Sequence, residues 1–250
     1  MSFDVGADAY GRFMGRYSEP LAAAFVGVLD SGAGRRVLDV GCGPGALTAE
    51  LVKEFEAASA VDPSESFVVA AQARFPQLDV RRAAAEALPF DNDAFDVAAA
   101  QLVVHFMTDP VAGLTEMARV TRPNGQVAAS VWDHAGGKGP LSLFWQAARD
   151  VDPQVTDESA LAGTREGQLA ELFERAGLHD VECGVLTVHV EFATFDDWWQ
   201  PFTFGVGPAG AHVLGLGDEQ RQTLQDRCAQ LLPRAPFEIA ASAWFALGRV

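Results

Sequence analysis

The run Val37–Leu51, VLDVGCGPGALTAEL, constrains the fold more than any other part of the chain. An apolar strand, VLDV, runs into Gly41-Cys42-Gly43-Pro44-Gly45. The next segment carries Leu47, Leu51, Val52 and Phe55 at helical spacing. A strand that is apolar throughout, without alternation, is covered on both faces, as in a parallel sheet flanked by helices. A ligand reaches the carboxyl end of such a strand only where side chains are missing, and Gly41, Gly43 and Gly45 leave that surface bare. The amides that open the following helix point at whatever lies above them.

Spacing decides what the loop holds. It reads Gly-x-Gly-x-Gly, whereas a pyrophosphate fingerprint places its third glycine one residue later. Pro44 also removes an amide that a phosphate would use. The loop therefore suits a nucleoside ligand that lacks a pyrophosphate. Asp62 stands 21 positions after Gly41, at the end of the next strand-like run, AASAVD. A carboxylate there accepts hydrogen bonds from ribose hydroxyls.

The alternation continues to Trp132. SESFVVAAQARF reads as a helix with Ser64 as its N-cap, and LDVRRA and FDVAAAQL as a third and a fourth strand. PVAGLTEMARV is a helix after Pro110, and RPNGQVAASVW a turn followed by a fifth strand. Strands and helices with short connections predict a parallel, doubly wound sheet. Ahead of it, Tyr10–Leu29 has helical turns. Beyond it, GGKGP is a flexible joint, REGQLAELFERAGL a helix, and VECGVLTVHVEF and FEIAASAWFALGRV two further strands. A long insert at about 194–236 separates those strands and is expected to cover the open end of the sheet. The expected organisation is one domain over 1–250: an N-terminal helical cap (1–34), a cofactor-binding core (35–133) and a substrate-side half (134–250).

Charge and cysteine usage narrow the function. The formal charge is −16, from 34 acidic and 18 basic residues with no Lys/Arg cluster, so a nucleic-acid partner is disfavoured. Cys42, Cys183 and Cys228 are widely spaced and form neither a disulfide framework nor a zinc motif; no metal is expected. The start, MSFDVGADAY, lacks the layout of a signal peptide, and no apolar run approaches the ~20 residues needed to span a bilayer. The expectation is a cytoplasmic protein.

VLDVGCGPGALTAEL, AVDPSES, AEALPFDNDAFDVAAAQLVVHF and ARVTRPNGQVAASVWD together resemble a class I S-adenosylmethionine-dependent methyltransferase. The resemblance covers about Tyr10 to Asp133. It is nearest to the small-molecule branch that includes the ubiquinone/menaquinone biosynthesis methyltransferases. It implies a seven-stranded α/β sheet of order 3-2-1-4-5-7-6 with strand 7 antiparallel. It also implies S-adenosyl-L-methionine as cofactor and a small-molecule acceptor. By position, Gly41, Cys42, Gly43 and Gly45 would lie against the methionine part of the cofactor and Asp62 would hold the ribose. Pro63 would pack on the adenine, Ala85 and Glu86 would fall at its edge, and the Gln101 backbone would meet the amino-acid moiety. Ala84 stands where relatives often carry an aspartate. YGRFMGRYS resembles an N-terminal element that closes over the cofactor, so that Arg16 or Tyr17 would pair with the methionine carboxylate.

Methyl transfer from a sulfonium is an in-line displacement with a neutral leaving group, so positioning dominates. An O- or N-nucleophile also needs a base. His105, just past the fourth strand, is the candidate catalytic group, and His134, after the fifth, a substrate contact. Trp198 and Trp199, with Phe202 and Phe204, read either as a core cluster anchoring the insert or as an apolar lid over the substrate. The expected function is methylation of an O, N or C nucleophile on a small apolar or aromatic molecule. The alternatives are a non-catalytic module that binds or senses the cofactor and, against the loop spacing, a nicotinamide-dependent oxidoreductase.

Overall fold

A computed structural model describes the chain from Ala7 to Val250; the first six residues of the expected cap lie outside the described residues. Seven strands form a single sheet: β1 (Gly32–Val40), β2 (Phe55–Asp62), β3 (Asp79–Arg82), β4 (Phe95–Gln101), β5 (Thr121–Trp132), β6 (His179–Phe192) and β7 (Phe237–Arg249). Their order is β3-β2-β1-β4-β5-β7-β6. The first five are parallel, and β7 runs antiparallel to both β5 and β6. This is the expected fold.

The apolar runs end up where a two-faced sheet puts them. Val37, Val97, Ala99 and Ala128 pack on one face with Leu21-adjacent Ala22, Phe25 and Val26 of the N-terminal helix Arg16–Val26 and with Leu47 and Leu51 of the helix Ala46–Glu54. Their neighbours Leu38, Ala98, Val127 and Ala129 pack on the other face, against the helices Pro110–Val120 and Gln168–Arg175. Every residue of β4 is buried, which is why its sequence does not alternate. The turn expected before the fifth strand survives inside β5: Asn124 takes φ +62°, and the pairing with β4 shifts register there.

A third, larger cluster lies beyond the central strands. It joins Phe13, Tyr17 and Leu21 to Trp132, Phe144, the outer half of β6 and the segment that links β6 to β7. That segment includes helices Phe195–Trp199, Gly207–Gly215 and Asp218–Leu231. The N-terminal segment and this insert therefore meet over the carboxyl ends of β1, β4 and β5.

Candidate active site

Two chambers open at that end of the sheet. The larger, about 450 Å³, is lined by Tyr10, Gly41, Gly43, Asp62 and Pro63, with Gln101, Leu102, Val103 and Phe106 opposite. Between β1 and the helix Ala46–Glu54 the chain must turn sharply, and Gly41 and Gly43 do so at φ +74° and +53°. A Cβ added at Gly43 would meet nothing within 4 Å, so this glycine leaves open space facing the cleft. At Gly41 a Cβ would collide with Val103, and at Gly45 with the ring of Phe75. Gly41 and Gly45 are thus small because protein packs against them; Gly45 does not line the cleft.

The loop's amides face inward. Gly41 and Cys42 both donate to the Val61 carbonyl, at 2.8 and 2.9 Å, and Gly43 donates to Asp62 Oδ2 at 2.9 Å. The other Asp62 oxygen accepts from the Ser64 amide at 2.8 Å. Two backbone amides fix the carboxylate's orientation, and each oxygen keeps a lone pair for a ligand hydroxyl. Burial, at 5% exposure, raises the Asp62 pKa, and those two hydrogen bonds oppose the rise. The site therefore offers shape and a carboxylate rather than a ring of amides, consistent with a sugar rather than a phosphate.

Beneath the loop the cleft extends into a pocket lined by Ser18, Asp39, Cys42 and Gln101. Gln101 Nε2 donates to the Ser18 carbonyl at 2.9 Å, which joins β4 to the N-terminal helix. Its Oε1 and the Ser18 hydroxyl are buried and find no partner among the described residues. Asp39 Oδ2 accepts the Thr48 hydroxyl at 2.5 Å, and burial pushes its pKa up to about 7. Asp39 and Ser18 were not singled out from sequence. An acidic residue inside the apolar run VLDV was the available signal for the first; Ser18 has none.

Several expected contacts lie elsewhere. Arg16 bonds Asp197 Oδ1 at 2.8 Å and the Glu191 carbonyl at 2.8 Å, and lies over Phe192. Tyr17 is buried against Trp132 and Phe192. Neither lines the cleft, because they project from the turn of the helix that faces β6; Tyr10 and Ser18 line it instead. Ala85 is buried against Met107 and the helix Pro110–Val120. Glu86 Oε1 accepts the amides of Thr108 and Asp109, at 2.8 and 3.2 Å, and so holds the entry to that helix rather than lining the cleft.

The second chamber, about 40 Å³, lies next to the first and shares Tyr10, Leu102 and Phe106 with it. Leu102 takes φ +63°, a conformation that costs a non-glycine residue about 1–3 kcal/mol. The strained residue lines both chambers. Phe13, Met14, Trp132 and Leu141 give the second chamber an apolar lining, closed by Val206–Ala209 of the insert. His105 and His134 also line it, with ring centroids 6.0 Å apart. Burial holds the His105 pKa well below its usual value and lowers that of His134 to about 4, so both imidazoles are neutral at neutral pH. Glu158, unremarked in the sequence, is the one carboxylate in the lining among the described residues.

Trp198 and Trp199 do not line this chamber. Both are buried, and they pack with Phe195, Phe202 and Phe144 in the large cluster that anchors the insert. Of the two readings of that pair, the core cluster matches their position.

Residues 38–129 match the family model described as a methyltransferase domain. That segment, which includes the glycine turn and Asp62, resembles a methyltransferase domain. An uncharacterised methyltransferase of Mycobacterium tuberculosis is 36% identical over 133 residues, 53% of this chain and 52% of that protein. A malonyl-[acyl-carrier protein] O-methyltransferase of Erwinia billingiae is 37% identical over 113 residues, 45% of each chain. The matched segment thus spans about half the length of these curated relatives. A solved structure of a putative methyltransferase from Bacillus halodurans superposes with a TM-score of 0.62 at 17% identity, covering 91% of this chain and 97% of that one.

A class I methyltransferase domain uses S-adenosylmethionine, and the cleft fits it. Gly43 leaves room where a side chain would intrude, and Asp62 presents fixed acceptor oxygens. The orphaned Gln101 and Ser18 oxygens lie in the extension where a charged amino-acid group would need partners. Among the described residues no helix is long and apolar enough to cross a membrane.

Proposed function

We propose that the chain transfers a methyl group from S-adenosylmethionine to an O, N or C nucleophile of a small, largely apolar molecule held in the second chamber. One observation carries this reading: the glycine-and-aspartate cleft adjoins an apolar, histidine-bearing chamber and shares Tyr10, Leu102 and Phe106 with it, so two guests would be neighbours at that junction. When bound, the cofactor supplies an electrophilic methyl carbon on a sulfonium.

The chain's own residues do the rest. Asp62 holds the ribose, Gly43 and Cys42 flank the amino-acid portion, and Pro63 packs on the base. Tyr10 and the N-terminal segment exclude water from the top. His105 and His134 orient the acceptor by hydrogen bonds from neutral imidazoles. Catalysis of this kind rests on alignment, with reacting atoms held ~3–3.5 Å apart.

Calorimetric titration with S-adenosylmethionine and S-adenosylhomocysteine tests the cleft. Asp62→Ala is expected to weaken both by roughly 10- to 100-fold, through loss of one or two charge-assisted hydrogen bonds. Gly43→Val is expected to abolish binding while the circular dichroism of the sheet is retained. Wild-type affinity in both variants would defeat the assignment.

A further inference from the structure

Glu158 opens the 3-10 turn Glu158–Ala160, which Asp157 caps by accepting the Ser159 amide at 2.9 Å. Asp157 is held in turn by Arg149. The Glu158 side chain is 4% exposed, and its Oε2 accepts the Trp145 indole N–H at 2.8 Å. Among the described residues it forms no ion pair. A buried carboxylate with one neutral donor and no cation is costly unless something else uses the charge. Holding Trp145 does not need it, because an amide oxygen would accept the same bond.

The same chamber contains Trp132, whose indole N–H is buried without a partner, and His105, whose Nδ1 is likewise unpartnered. An acceptor that receives a hydrogen bond from Trp132 and gives one to Glu158 satisfies both. A hydroxyl or an amine on an apolar body does this; a carbon nucleophile with no N–H or O–H does not.

We propose that Glu158 takes the proton of the acceptor's O–H or N–H as the methyl group is transferred. This rests on the methyl-transfer reading and narrows it to O- and N-nucleophiles. The acceptor's lone pair forms the new bond to the methyl carbon, and the carbon–sulfur bond breaks with its electron pair going to sulfur. The acceptor proton moves to a Glu158 oxygen, leaving a carboxylic acid, a thioether and the methylated product. Burial raises Glu158 to about 7, within reach of a proton at neutral pH, whereas it makes both histidines weaker bases.

The test compares phenol, aniline and toluene, which share a ring and differ in the donor, by calorimetry with and without saturating S-adenosylhomocysteine. Wild type is expected to bind phenol or aniline at least tenfold more tightly than toluene, and the tighter of the two names the nucleophile. Glu158→Gln keeps an acceptor for Trp145 but turns an N–H toward the ligand. It should lose at least fivefold in phenol and aniline affinity, with toluene and S-adenosylhomocysteine affinities unchanged. Equal affinity of wild type for the three probes, or no binding of any, overturns the proposal without recourse to a variant. So does an unchanged phenol and aniline affinity in folded Glu158→Gln. Failure of wild type to bind S-adenosylhomocysteine would instead defeat the methyl-transfer reading, and the probe titrations without it still judge Glu158.

Discussion

Glu158 and His134 sit in one chamber and respond to pH in opposite senses. The folded-state pKa of Glu158 is raised from 4.5 to about 7, so its contribution to stability is present below 4.5 and is lost as pH rises through 7. His134 is depressed from 6.5 to about 4, so its contribution is present above 6.5 and is lost as pH falls toward 4. Glu158→Gln removes only the first effect. Relative to wild type, this variant should gain up to ~3 kcal/mol between pH 4.5 and 7.5, measured by urea unfolding at several pH values. A difference that stays flat with pH would show that Glu158 is ionised without penalty. At this scale the sequence was partly legible. The positions of Asp62 and Gly43 in the cleft were legible, because one ends a strand beside a sharp turn that the other makes. At Gly41 and Gly45 the missing side chain also makes room for Val103 and Phe75, which approach from distant parts of the chain. No local pattern announces such neighbours.

Elements were more legible than residues. The buried run FDVAAAQ reads as a strand and is one, covered on both faces, and the helix read after Pro110 begins where Asp109 accepts two amides. What a helix faces is harder to read. Arg16 and Tyr17 sit on a helix that the sequence does reveal, yet its packing on β6 turns both away from the cleft. Arg16→Ala is therefore expected to change S-adenosylhomocysteine affinity less than about twofold. Its half-exposed pair with Asp197 should couple by less than ~1 kcal/mol in a double-mutant cycle. A tenfold loss of cofactor affinity would restore the role first expected of it. Trp199→Ala should cost about 3–5 kcal/mol in urea unfolding, because it empties part of the cluster that holds the insert. A loss below ~1 kcal/mol would mean that the insert does not depend on that cluster.

For the molecule as a whole, alternation predicts a doubly wound sheet with two further strands at the end, while the strand order itself comes from the family resemblance. The meeting of the N-terminal segment with β6 and the insert does not follow, since it depends on long-range packing of Phe13 on Phe202 and Tyr17 on Phe192. Tyr10 of the N-terminal segment lines both chambers, and the insert closes the second through Val206–Ala209. Removing residues 1–15 should leave the circular dichroism of the sheet intact while speeding S-adenosylhomocysteine release at least tenfold in stopped-flow experiments. An unchanged release rate would show that the N-terminal segment does not retain the ligand. The lining that the two chambers share, Tyr10, Leu102 and Phe106, has a kinetic corollary. A guest that shoulders one of these side chains aside reshapes the neighbouring room, so the two occupants cannot load as strangers. Whichever enters first sets the terms on which the second is admitted.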